Sequence, residues 1–285
     1  MIPDGTYRPG DWSVTMDSDI EGFYNRGEEA SRLDEGYFPL ERERTREIVL
    51  RHLPAPPAAV LDVGGGAGAY ALWLAELGYE VHLLDPVALH VQQAQAASGA
   101  QARPLVSATV GDARRLDRPD AVFDAVLLLG PLYHLVARDD RLRALREAFR
   151  VLRPGGVLFA AGISRYASLV DGLRASLFED PAFAVIVERD LRTGVHVNDT
   201  PNPRYFTTSF FHEPDELRFE VADAGFGGAD VLPLEGPGVL LPDFRARWDD
   251  PVHRDTLLRF LRLVEREPAL LGLSPHLLAV GRRPA

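Results

Sequence analysis

Tyr133 and His134 occupy a position where a chain can do chemistry. They lie in a loop that leaves a very apolar run, Phe123–Leu129. An unperturbed imidazole titrates near pH ~6.5, so His134 is suited to accept a proton from an oxygen or nitrogen nucleophile. Farther upstream, residues 60–70 read VLDVGGGAGAY: an apolar run ends in three consecutive glycines and a helix-forming run follows. Such a turn lets a ligand press against bare backbone, and the helix start offers unpaired N–H groups. Three carboxylates accompany it: Asp62 just before the glycines, Asp85 at the end of the next apolar run, and Asp112 in a Gly-Asp-Ala turn after the third. Asp85 stands where an acid accepts hydrogen bonds from ribose hydroxyls, and Asp112 offers an acceptor to an adenine amino group. The pattern describes a cradle for a nucleotide-like cofactor.

Other chemistries are excluded by residue type. The chain has no cysteine, which removes disulfides, zinc–thiolate sites and thiol nucleophiles. All 31 basic residues are arginine, so no Walker lysine and no Schiff base can form. The eight histidines show no HxxxH spacing, and no metal site is expected. A net charge of −11 disfavours a duplex nucleic-acid surface, which needs a dense basic face. No segment approaches the roughly 20 apolar residues of a membrane span, and no apolar leader opens the chain. The expected setting is cytoplasmic, without nucleic-acid or membrane partners and with the oligomeric state open.

These residues need elements to position them. Strands are expected at Val60–Val63, Glu80–Leu84, Leu105–Val110, Phe123–Leu129, Val157–Ala161, Phe226–Leu234 and His276–Arg282. Helices are expected at Pro39–Leu53, Gly68–Leu77, Val87–Ala97, Arg141–Leu152 and Glu213–Ala224, with Pro154-Gly155-Gly156 stopping the fourth. Apolar strands without polar alternation suit a sheet covered on both faces. The expected fold is α/β: a doubly wound, Rossmann-like, mostly parallel seven-stranded sheet with helical cap insertions. Residues 1–57 read as an N-terminal helical lid segment, with a helix over 13–32 carrying Tyr24, Glu28 and Arg32, and with Tyr37 beyond it. Residues 58–285 read as the cofactor domain, with caps at about 163–209 and 236–275, the first too long for a plain connection.

The glycine spacing fits G-x-G-x-x-A, which suits NAD. With Asp85 it suits S-adenosylmethionine (SAM) equally well. Asp62 favours SAM, because a carboxylate answers a positively charged amino-acid end better than a pyrophosphate. So do the Gly111–Ala113 turn and the segment VLRPGGVLF. At this point the chain resembles the class I SAM-dependent methyltransferases, through LDVGGGAG, LLDP, VGDARRL, FDAVLLLGPLYHL and VLRPGG in the family's order. The resemblance is close over residues 58–162 and looser over 214–282.

It implies that Gly64, Gly65, Gly66 and Gly68 cradle the methionine and ribose parts of SAM, and that Asp62 meets its ammonium group. Asp85, beside Pro86, would take the ribose diol. Asp112 and the Ala113 N–H would meet adenine, and the Leu129 and Gly130 carbonyls the methionine part. Tyr133 and His134 would serve catalysis at the acceptor, and Tyr24 would cover the cofactor. The implied reaction is methyl transfer to a small-molecule acceptor, with S-adenosylhomocysteine as product. A nicotinamide-dependent oxidoreductase and a SAM-binding protein without transfer activity are the alternatives.

Overall fold

The computed structural model describes residues 36–285 together with Ile20, Gly22 and Tyr24. Those three residues are helical. The rest of the expected 13–32 helix, including Glu28 and Arg32, lies outside the described residues.

From α1 (Phe38–His52) the chain alternates β1 (Ala59–Val63), α2 (Ala71–Glu76), β2 (Glu80–Asp85), α3 (Ala88–Gly99), β3 (Ser107–Val110) and β4 (Phe123–Leu128). A helical turn, α4 (Pro131–His134), then leads to α5 (Arg138–Val151) and β5 (Leu152–Ser164). Next come α6 (Ala167–Arg174), α7 (Pro181–Thr193), β6 (Val195–His196) and β7 (Ser209–His212). The chain continues through α8 (Pro214–Asp223) and β8 (Gly227–Pro233). The short helices α9 (Phe244–Asp249), α10 (Pro251–Val264) and α11 (Pro268–Leu271) precede β9 (His276–Arg282).

Strands β3-β2-β1-β4-β5 pair in parallel. β9 runs antiparallel to β5, and β8 antiparallel to β9, which completes the seven expected strands. β7 and β6 extend the C-terminal end of β5 and bring the sheet to nine. Successive side chains leave a strand on opposite faces. Val60 therefore packs in one apolar cluster with Leu83 and Leu127, while Leu61 and Val63 pack in the other with Leu145 and Leu158. The strand order reverses at β1, between β2 and β4. A crevice opens there at the carboxyl ends of the strands.

Several elements depart from expectation. α2 starts at Ala71 because Gly66 and Gly68, at φ 56° and 95°, keep the chain out of the helical region. Pro154-Gly155-Gly156 is not a stop. β5 already begins at Leu152, and the triplet forms an irregularity where the register against β4 jumps from Phe123↔Leu152 to Ala125↔Val157. The 163–209 segment holds a full helix, α7, that the sequence reading did not place. Pro181 sits in the first helical turn, behind Asp180, whose side chain accepts from Ala182 N.

One buried ion pair fixes the loop that carries His134. Arg141, 2% exposed, donates from Nε and Nη2 to Glu220 on α8 at 2.7–3.2 Å. Its Nη1 donates to the carbonyls of Leu135 and Val136 at 2.9 and 2.6 Å. Burial alone would raise the Glu220 carboxyl, but His212 and Arg141 bond to it and hold it at about 2. Arg141→Met is expected to leave Glu220 buried without its main partner and to cost about 3–5 kcal/mol. Chemical denaturation of the variant would check this.

Candidate active site

The crevice holds a cavity of about 360 Å³ lined by the glycine turn, β2's end, the Gly-Asp-Ala turn and the loop after β4. Gly64, at φ 70°, makes this possible. Its N–H donates to the Leu84 carbonyl at 2.6 Å, and a Cβ there would lie 2.7 Å from the Pro131 ring. Only glycine lets the β1 and β4 loops approach so closely.

Asp85 is buried and already engaged. Its Oδ2 accepts from Gly66 N at 2.9 Å; Oδ1 accepts from Val87 N at 2.9 Å and faces His90 Nδ1 at 3.1 Å. A carboxylate has about four lone-pair sites, so three are filled and one is open to a further donor. A diol gripping Asp85 with both hydroxyls would displace His90. Asp112 lines the cavity beside Ala113, and Arg114 engages it through backbone N at 2.8 Å and through its guanidinium at 2.6–3.0 Å.

Asp62, Gly65, Gly68 and Leu129 do not belong to the cavity lining, unlike Gly64, Gly66, Asp85, Pro86, Asp112, Ala113, Gly130, Tyr133, His134 and Tyr24. Asp62 lies beneath the turn: a Cβ on Gly65 would meet its Oδ2 at 2.8 Å. That oxygen is sealed from solvent and has no hydrogen-bond partner among the described residues. Burial, with the Asp85 charge beside it, pushes the Asp62 carboxyl up to about 7, against a bond from the Ala71 N–H. Gly68 faces Leu72 and Ala94, so its lack of a side chain serves helix packing.

His134 and Tyr24, 110 residues apart in sequence, stand together with Tyr24 Oη 2.6 Å from His134 Nε2. Burial pulls the His134 imidazole down to about 4. It is therefore neutral near pH 7, and in the tautomer protonated at Nδ1 its Nε2 accepts from the Tyr24 hydroxyl. Behind this pair lies a second cavity of about 320 Å³, which shares Tyr24 and Tyr133 with the first and is otherwise walled mainly by rings. Phe206, His196 and Phe211 line it.

Sequence reasoning missed His90, Arg114, Asp140 and Thr208 in the first cavity and Asp171 in the second. His90, five residues after Asp85 on the next helix, had a usable signal, since that spacing returns a side chain toward the strand end. The others depend on tertiary placement. No helix among the described residues is long and apolar enough to cross a membrane.

Comparison with known proteins agrees with this geometry. A methyltransferase domain family model matches residues 61–160. The ubiquinone/menaquinone biosynthesis C-methyltransferase of Chromobacterium violaceum is 31% identical over 189 residues, covering 64% of this chain and 72% of that protein. An uncharacterised methyltransferase of Mycobacterium tuberculosis is 38% identical over 106 residues, 37% of this chain. The chain covers only 40% of that relative's length. A solved SAM-dependent methyltransferase from Methanosarcina mazei shares the fold, with a TM-score of 0.56 at 19% identity over 83% of this chain and 97% of that one. The chain belongs to the class I SAM-dependent methyltransferases.

Asp85→Ala would orphan three donors and remove the acceptor nearest the glycine turn. S-adenosylhomocysteine affinity is expected to fall by about 2–3 kcal/mol, roughly 30- to 150-fold. Titration calorimetry would check it, and unchanged affinity would refute the role of Asp85 in holding the ribose.

Proposed function

We propose that the protein transfers a methyl group from SAM to a small-molecule acceptor. The observation that carries this reading is the pair of adjoining cavities that share Tyr24 and Tyr133, with the buried His134 beside Tyr24 in the wall of the first. One is walled by glycine backbone and carboxylates, the other mainly by rings.

The residues present fit SAM. Gly64 presents bare backbone to the cavity where a Cβ would strike Pro131, and Asp62 Oδ2 is a buried acceptor without a donor among the described residues. Gly64, Gly66 and Gly130 would hold the methionine part, Asp85 the ribose, and Asp112 with Ala113 the adenine. Asp62 would answer the ammonium group through the turn. When bound, SAM supplies a methyl group activated on a positively charged sulfur. The chain's own task is then mainly to align the reactants and exclude water. Where the acceptor must lose a proton, Tyr24 can take it while passing its own to His134 Nε2, against the burial that makes this imidazole a weak base.

Asp62 also speaks against a dinucleotide. A pyrophosphate over this turn would face a buried carboxylate that has no cationic partner. Calorimetry with SAM, S-adenosylhomocysteine and NADPH decides between the readings. Micromolar binding of the first two supports methyl transfer, and tight NADPH binding without a SAM response overturns it.

A further inference from the structure

The second cavity has a polar wall that alignment with a methyl donor does not require. Asp171 on α6 lines it, together with Tyr37 and His276. Asp171 Oδ1 accepts from Tyr37 Oη at 3.0 Å and stands 3.7 Å from Arg174 Nη1. Nothing among the described residues donates to Oδ2, and the side chain keeps 42% of its surface, in a residue that faces the cavity. Two further carboxylates stand behind His276: Glu235, fully buried, 2.6 Å from its Nδ1, and Glu41 at 3.7 Å. Burial raises the Asp171 carboxyl above its ordinary value and the Glu235 charge adds to this, while Tyr37, His276 and Arg174 oppose it.

The remaining polar side chains of the wall are turned to other partners. Ser168 donates to Asp190 at 2.6 Å. His196 uses Nδ1 on Asp190 and Nε2 on the Tyr205 carbonyl, and stacks its ring on Phe211 at 4.8 Å. The His196 ring therefore contributes flat surface, as Phe206 and Phe183 do. Of the two arginines nearby, Arg174 lies over the Tyr37 ring at 4.2 Å and Arg204 is exposed.

We infer that this cavity takes an acceptor with an aromatic-sized apolar body and a basic amine, the ammonium group seated on Asp171 Oδ2. This rests on the methyl-transfer reading above. An ammonium group brings three donors and no acceptor, which is what an unfilled carboxylate needs, and surrounding rings favour a cation. A molecule offering only carbonyl or carboxylate oxygens would leave Asp171 unpaired or repel it. The volume, about 320 Å³, lies within the range of small-ligand sites.

Three probes share one ring and a similar chain length but differ in charge: tyramine (positive), tyrosol (neutral) and 4-hydroxyphenylacetate (negative). Each would be titrated at pH 7.5 into the full chain saturated with S-adenosylhomocysteine. Tyramine is expected to bind at least tenfold more tightly than the other two. Asp171→Asn should abolish that preference and Asp171→Glu should keep it, with S-adenosylhomocysteine affinity unchanged in both. Equal binding of the three probes, preference for the anion, or no tyramine binding at millimolar concentration would overturn the inference. The wild-type ranking decides even if a variant fails to fold. Absence of S-adenosylhomocysteine binding in the wild type would instead refute the methyl-transfer reading.

Discussion

His134→Ala is expected to slow turnover on a hydroxyl or protonated-amine acceptor by about 10²-fold, the low end for a positioned general base, because burial weakens its imidazole as a base. Affinity for S-adenosylhomocysteine should change little, because His134 contributes a wall and a proton acceptor rather than a grip on the cofactor. The pH profile gives a second check. An ordinary histidine base is lost as pH falls through about 6.5. Burial holds His134 at about 4, so its neutral form persists well below that point. Wild-type turnover should therefore show no inflection near pH 6.5 attributable to this residue. Equal turnover in the alanine variant would show that the acceptor needs no base here.

Asp62→Asn is expected to separate stability from binding. The folded-state carboxyl is raised from 3.8 to about 7, so between those values the folded chain holds a proton that the unfolded chain has released. Wild-type stability contributed by this group therefore falls as pH rises from about 4 to about 7, and is flat above that. Asparagine removes the penalty. The variant should gain about 1–3 kcal/mol of ligand-free stability at pH 8 and almost none at pH 4. Denaturant titrations at the two pH values would measure this. The same substitution should weaken S-adenosylhomocysteine binding at pH 8 by about 1.5–3 kcal/mol, as a charge-assisted partner is lost. A variant destabilised at pH 8 would overturn the charge penalty at Asp62, and one that binds as tightly as wild type would remove its ammonium role.

The alternating half of the chain was readable because each buried strand between Val60 and Ala161 is a short apolar run bounded by glycine, proline or aspartate. The glycine turn was equally plain, since three adjacent glycines after a strand leave few other uses for so much backbone freedom. What sequence did not disclose depends on long-range placement. The Tyr24–His134 bond spans 110 residues. β7 has four residues, all buried, so it carries no polar alternation to reveal it. Pro154-Gly155-Gly156 was misread because the same residues serve a turn and a strand irregularity. Asp171 carries no local signal that singles it out, and only the fold turns it toward Tyr37 and a cavity.

The grip of Asp85 on the middle of the glycine turn has a kinetic consequence. The Gly66 amide is tied before any ligand arrives, so the turn has little freedom left to lose on association. Binding should then proceed as a single fast phase without a slow rearrangement of the turn. The Gly66 amide should also resist deuterium exchange in the ligand-free protein, far longer than a surface glycine would.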